Sequence, residues 1–323
     1  MLRSRLPRED LRHDDYASSS VIEVRGLSKR FGATLAVDNL SFDVLPGRVT
    51  GFLGPNGAGK STTMRMIVGL DRPTRGTVTV LGRPYGEHRR PLHEVGAVLE
   101  SRAVHGGRSA ANHLLCLAQS NGIPAGRVDE VLELVGLRSA RRKRAGNFSL
   151  GMTQRLGLAA ALLGDPQVIL CDEPVNGLDP EGIRWIRGLL RDLAAQGRTV
   201  LVSSHLMTEM AVTADHLIVV GQGRLLADAS VEEIVSSSAR SYVIARTPDA
   251  DRLDVAVRTA GGSAEPEPDG AMRITGLPVA EVGELAARHG ITLHELSPRQ
   301  PSLEAAFFEL TQDSVEYKSE VSA

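Results

Sequence analysis

GPNGAGKST, Gly54 to Thr62, is the stretch that decides how this chain folds. Gly54, Gly59, Lys60 and Ser61 occupy the fixed places of the phosphate-binding P-loop template. Before it, VTGFLG reads as a buried strand, and after it Thr63, Met66, Ile67 and Leu70 fall on one helical face. Strand, glycine-rich loop and helix form the context that the template requires. Glycines let successive N–H groups converge on one concavity, and the following helix adds roughly half an elementary charge from its dipole. Polyphosphate is the natural guest of Gly54, Pro55, Asn56, Gly57, Ala58, Gly59 and Thr62. Lys60 would reach its β- and γ-phosphates, and the Ser61 hydroxyl would hold Mg²⁺. A glycine-rich turn with a solvated lysine is the alternative, and the flanking strand and helix argue against it.

A second chemical element is VILCDEP, Val168 to Pro174. Its apolar residues form a buried strand that delivers Asp172 and Glu173 at the C-terminal end, where open parallel sheets bind ligands. Asp172 would hold Mg²⁺ through its hydration shell, and Glu173 would orient the attacking water and accept its proton. Alone, such a pair is an ordinary solvated strand end; in one chain with a P-loop it points to catalysis. Asp179 followed by Pro180 reads as a helix cap and first turn, with Ile183, Ile186, Leu190 and Leu193 turned to the core. RTVLVSSH is a further buried strand, ending in His205, placed either to donate to a phosphate or to be satisfied by local backbone. Aromatic residues make up only 3% of the chain, and one of them, Phe31, lies just upstream of the P-loop. It is open between core packing and stacking on a base.

With 323 residues and 42% hydrophobic content, the chain has material for one large and one smaller globular domain. No run approaches the roughly 18 apolar residues of a membrane span, and the N-terminal stretch lacks the apolar middle of a signal peptide. A cytosolic location is expected. Cys116 and Cys171 lie in apolar patterns without metal-ligand spacing, so both are expected as reduced, buried thiols. The net charge of −2 conceals an asymmetry: from Ser230 onward, 16 acidic residues face 8 basic ones. The preceding part is basic, with RRKR at Arg141 to Arg144 its only dense cluster, readable as a solvated or partner-facing surface or as a nucleic-acid patch.

In chain order, 1–20 reads as a mobile tail, and 21–229 as a nucleotide-binding α/β domain. VIEVRGL and LSFDVL alternate as antiparallel strands, with GATLAVDN between them. TVTVLG and EVGAVLE, ending at Glu100, follow as strands. Helical patterns in AANHLLCLA and at Val128, Val131, Leu132 and Val135 then mark a helical subdomain inserted over about 101–165. After Ala229 comes a small acidic α/β appendage over 230–313. SYVIAR and AMRITGL are its strands, VAEVGELAARHG and PSLEAAFFELTQ its helices, and GGSAEPEPDG a flexible loop. A second mobile tail is expected over 314–323.

The P-loop, FSLGM (Phe148 to Met152), VILCDEP, NGLD (Asn176 to Asp179) and His205, in that order, resemble the nucleotide-binding subunit of ABC transporters over about 21–229. The resemblance implies a P-loop NTPase of ABC type, with an antiparallel β subdomain and a helical subdomain. It implies ATP and Mg²⁺ as ligands, and a head-to-tail dimer of two like subunits, identical or merely similar. Ser149 and Gly151 of the signature loop would then close over the γ-phosphate held by the opposite subunit. Phe31 becomes the aromatic on adenine, Asp179 part of the loop coupling the two sites, and His205 the switch histidine. With no span of its own, such a chain works on a separate membrane permease, at the cytoplasmic face. Phe148, Leu150 and Met152 depart from the commoner signature residues. Glu100 stands where the family usually has a glutamine; a carboxylate still offers oxygen to Mg²⁺ but donates no amide hydrogen. Glu100 and the helix after it resemble bacterial exporters tied to drug and antibiotic resistance.

Two other classes share parts of the pattern. A nucleic-acid or translation ATPase of the same superfamily would carry two tandem units or a long coiled coil, whereas 88 residues separate Lys60 from Ser149 here. A non-catalytic nucleotide sensor would not need both Asp172 and Glu173.

Overall fold

Ile22, Val24 and Leu27 are fully buried along the first strand while Glu23 and Arg25 between them reach solvent. That is the two-residue period of a sheet covered on one face, and the first of three irregularities in the pairing with the next strand falls between Val24 and Leu27. The computed structural model describes residues 20–100, 104–237, 242–299 and 303–311, in two units divided between Asp228 and Ala229. The tails expected over 1–20 and 314–323 lie outside the described residues, apart from Ser20.

The first unit runs β1 (Ile22–Phe31), β2 (Thr34–Val44), β3 (Val49–Leu53), α1 (Lys60–Ile67), β4 (Arg75–Val80), α2 (Pro91–Glu94) and β5 (Val95–Val98). Three helices follow: α3 (Ala110–Ser120), α4 (Gly126–Leu134) and α5 (Leu150–Ala161). They pack on one another. The chain then returns to β6 (Val168–Asp172), α6 (Pro180–Ala195), β7 (Thr199–Ser204), α7 (Met207–Thr213), β8 (His216–Gly221) and β9 (Arg224–Ser230). β2, β1 and β4 form an antiparallel sheet, and a second sheet has the order β5-β6-β7-β3-β8-β9. From β5 to β8 its pairings are parallel. Every residue of β3 and β7 is buried, as expected of parallel strands covered on both faces. Phe52, Leu170, Leu201 and Ile218 pack with Met64 and Ile67 of α1 and with the antiparallel sheet in one core. Helices α6 and α7 pack on β3, and α6 also on β7.

The second unit comprises α8 (Val231–Ser237), β10 (Tyr242–Arg246), α9 (Ala250–Thr259), β11 (Ser263–Pro266), β12 (Met272–Thr275), α10 (Val279–Arg288), β13 (Glu295–Arg299) and α11 (Leu303–Thr311). Its sheet order, β11-β12-β10-β13, with all pairs antiparallel, is the split βαββαβ arrangement of ferredoxin-like folds. It has a core of its own, built from Val243, Ala245, Leu253, Val257, Ile274 and Val282 among others.

The expected α/β class, with its antiparallel and helical parts, is what the chain adopts. Several details differ. β1 runs on to Phe31 and β2 already starts at Thr34, so GATLAVDN is strand apart from the turn at residues 32 and 33. Glu94 belongs to a helical turn started by Pro91, and the strand ends at Val98, leaving Glu100 in a loop. α1 ends at Ile67, which puts Leu70 beyond it and 60% exposed. GGSAEPEPDG contains the edge strand β11, and α9 is a helix that the sequence reading does not include. Cys171 is buried in β6, but Cys116 is only half-buried on α3.

Burial pushes the Cys171 thiol up to about 12, aided by the neighbouring Asp172 charge. The thiolate is the reactive form. Alkylation of the native protein is therefore expected to label Cys116 alone, and both cysteines after unfolding; peptide mass spectrometry of the two samples checks this.

Candidate active site

Pairing in the parallel sheet sets Leu53 of β3 beside Ser204 of β7, and Asp172 of β6 beside Ser203. The three adjacent strands therefore end level, and the segments that leave them share one edge. From β3 comes the P-loop, from β6 Asp172 and Glu173, and from β7 His205.

In the P-loop, Gly57 and Gly59 take left-handed φ values of 82° and 93°. At Gly59 a side chain is excluded twice, by that φ and because a Cβ would lie 2.5 Å from the Ala36 carbonyl oxygen. The loop borders an open cavity of about 500 Å³ lined by Asn56 to Thr62 together with Phe31, Glu173, Asn176 and His205. Gly54 and Pro55 do not line it; their carbonyls accept hydrogen bonds from Lys60 Nζ at 2.7 and 3.2 Å. Lys60 is 6% exposed. Burial lowers its pKa from the ordinary lysine value, and the Glu173 and Asp172 carboxylates oppose that shift. A cavity of this size, with N–H groups from a glycine-rich loop and a buried ammonium, fits a nucleotide polyphosphate.

Glu173 holds the centre. Its Oε2 accepts from His205 Nδ1 at 2.8 Å and its Oε1 lies 3.6 Å from Lys60 Nζ. Its backbone sits at φ 48°, an uncommon conformation for a side-chain-bearing residue, stabilised by its N–H donating to Ser203 Oγ at 2.9 Å. The same Ser203 hydroxyl donates to Asp172 Oδ1, so one side chain positions both acids. From sequence, Ser203 has no role and Asn176 is named only as the first residue of NGLD. The signal available for Ser203 was two small polar residues, Ser203 and Ser204, ending an otherwise apolar strand. A second cavity, of about 570 Å³, brings Glu100 together with Asp172 and Glu173, and Asn176 borders both cavities. Glu100 is 71% exposed and lies 3.7 Å from Arg65 Nη1. Among the described residues, no three His, Cys, Asp or Glu side chains gather to hold a metal by themselves. A cation here would draw its remaining oxygens from phosphate and water, which is how Mg²⁺ is usually held.

Three expected site residues lie away from the P-loop cavity. Ser149 is exposed and caps α5, its Oγ accepting from Met152 N at 3.3 Å, with Gly151 one turn position further along. Asp179 caps α6 through Gly182 N at 2.9 Å and borders neither cavity. Phe31, by contrast, lines the P-loop cavity with its ring 49% exposed and Lys29 Nζ 4.9 Å from the ring centre.

The model of the ABC transporter family matches residues 37–176, and a domain of unknown function (DUF8746) matches 241–304. A bacitracin transport ATP-binding protein of Bacillus licheniformis, BcrA, is 34% identical over 299 residues, covering 90% of this chain and 97% of the relative. Nod factor export ATP-binding protein I of Rhizobium sp. (strain N33) is 35% identical over 317 residues, covering 93% and 99%. Among solved structures, an ATP-binding subunit of an ABC transporter superposes with a TM-score of 0.62 at 26% identity, over 67% of this chain and 92% of that one.

Ser203→Ala removes the hydroxyl shared by Asp172 and Glu173 and leaves the Glu173 N–H without its partner. Losing such a hydrogen bond costs about 1–3 kcal/mol. The expected outcome is a turnover loss of about tenfold or more with ATP affinity changed far less, read by steady-state ATPase assay beside nucleotide titration.

Proposed function

This chain belongs to the ABC transporter family as an ATP-binding, ATP-hydrolysing subunit, and we propose that two like subunits close head to tail on ATP·Mg²⁺ to drive a separate membrane permease. The observation that carries the dimer is the placement of Ser149 and Gly151, which border no part of this chain's own P-loop cavity while Ser149 stands exposed at the start of α5. A helix N-terminus open to solvent suits an anion presented by a neighbour. In this reading each cavity is completed by the other subunit's signature loop.

When bound, ATP·Mg²⁺ supplies the phosphoanhydride bond and a cation that neutralises its charge. Lys60 and the P-loop amides would hold the phosphates, Phe31 would cover the base, and Ser61 and Asp172 would hold the cation, with Glu100 as a further oxygen donor. Glu173 accepts the proton of the attacking water. Lys60 and His205 both lie against Glu173 in this structure, so nucleotide binding gives them a phosphate to contact and frees carboxylate oxygens for water. Asp179 stiffens the start of α6 beside the Asn176–Leu178 segment, through which the two sites are coupled.

Among the described residues, no helix is long and apolar enough to cross a membrane. Work on a membrane substrate therefore calls for a partner, which would hold this subunit at the cytoplasmic face. The relatives named for bacitracin transport and Nod factor export support an exporter of an antibiotic or similar amphiphile. Substrate contacts belong to the permease in this reading.

Glu173→Gln should retain ATP binding, lose turnover by about a hundredfold or more, the usual contribution of a general base, and accumulate as an ATP-bound dimer. Light scattering on a sizing column checks the mass, and Ser149→Arg added to that variant should return it to monomer. A Glu173→Gln chain that stays monomeric in saturating ATP would reject the dimer.

A further inference from the structure

A cavity of about 620 Å³ lies away from the nucleotide edge, on the helical part of the first unit. Arg108, Ser109, Asn112, Arg141, Arg142 and Arg144 line it. Of the four arginines only Arg141 has an acidic partner among the described residues, Asp129 at 2.9 Å. Arg108, Arg142 and Arg144 form no ion pair there, and all three are exposed. Positive charge this dense, without counter-charge among the described residues, raises a local potential that attracts anions.

The two segments carrying the arginines are laced together by backbone. Ala145 N donates to Arg108 O and Gly146 N to Gly106 O, each at 2.9 Å; Ala110 N donates to Lys143 O at 3.2 Å and Ala111 N to Arg141 O at 2.9 Å. These bonds fix the spacing of the guanidinium stems in advance, which lowers the ordering cost of binding. They also use the first amides of α3, while Ser109 Oγ accepts from Asn112 N. Recognition therefore falls to the guanidinium forks and not to the helix terminus. Two polar atoms nearby are buried without a partner, Nε of Arg141 and Nδ1 of His113. Burial, and after it the charges of Arg108 and His105, holds His113 below its ordinary pKa.

We propose that this cavity binds a phosphate-type anion carrying at least two charges, a pyrophosphate or a lipid headgroup phosphate. Guanidinium forks match phosphate oxygens bidentately, and three unpaired ones exceed what a single carboxylate would neutralise. The cavity wall is mostly polar, so it takes a headgroup and not an acyl chain. A nucleic-acid strand would need a basic stripe, and these cations surround one hollow. The site is independent of the nucleotide chemistry and stands or falls separately from it.

Pyrophosphate titration by calorimetry tests it, on full-length chain carrying Lys60→Ala to weaken the P-loop as a competing site. Adding Arg108→Gln, Arg142→Gln and Arg144→Gln together should weaken pyrophosphate binding at least tenfold, while the same three changes in the otherwise native chain leave ATP binding intact. Sedimentation with phosphatidylcholine vesicles, with and without phosphatidylglycerol, separates the sources. Capture by the anionic vesicles that the three changes abolish identifies a lipid phosphate; pyrophosphate binding without vesicle capture identifies a soluble one. Absence of both kinds of binding, or a change under twofold on removing the arginines, overturns the proposal. So does arginine-dependent binding of a glutamate-rich peptide without either phosphate. Should the triple variant lose ATP binding through misfolding, Arg142→Gln alone decides. That exposed side chain makes no hydrogen bond among the described residues, and an unchanged affinity would count against the site.

Discussion

The ladder that pairs Leu53 with Ser204 and Asp172 with Ser203 is the constraint on which the site depends. Strand residues alternate faces and advance by about 3.3 Å, so a one-residue slip of β6 would turn Asp172 away and draw Glu173 back from Lys60. What forbids the slip is burial on both faces: Val168, Ile169, Leu170 and Cys171 are all fully enclosed, with Leu170 in the core shared with α1. The placement of Asp172 and Glu173 is thus fixed by apolar packing. Ser203 adds the local correction, tying both acids to the neighbouring strand.

Lys60 shows the cost side of the same arrangement. An ammonium that is 6% exposed loses hydration, and the two loop carbonyls and Glu173 restore only part of it. Such a charge is conserved in the structure by its surroundings, not by solvent. It is poised for an anion stronger than a backbone carbonyl. Glu173, with one oxygen on His205 and the other facing Lys60, stands in for that anion.

Sequence was most informative where a backbone demand singles out a residue type. Glycine at 59 is required by φ and by the Ala36 carbonyl, and Asp179 with Pro180 is a cap that needs no tertiary context. Site order along the chain was legible for the same reason. Features set by distant partners were not. β11 is SAEP, with a charge and a proline, and becomes a strand only because β12 offers its edge. Ser203 acquires its role from residues some thirty positions earlier. RRKR was visible, but only the fold brings Arg108 to Arg142 and Arg144 around one hollow. The helix α9 was legible in principle, since Leu253, Ala256 and Val257 follow helical spacing and are buried. Leu70 fits the helical period but lies beyond α1, which stops before Gly69 at φ 68°.

One contact joins the start of α5, the face proposed for a partner subunit, to the segment that follows Glu173. Gly177 lies so close to Leu150 that a Cβ there would be 2.5 Å from Leu150 Cδ2, and Leu178 Cδ2 approaches Gly151. The segment leading away from Glu173 therefore rests directly on the first turn of α5. Packed side chains transmit displacement because interiors are dense and poorly compressible. If a partner's phosphate engages Ser149 and shifts the start of α5, the Asn176–Leu178 segment must move with it, and Glu173 anchors that segment. In the proposed dimer, hydrolysis in one cavity would then respond to occupancy of the other without any contact between the nucleotides, since each subunit would lend the start of its α5 to one cavity and Glu173 to the other.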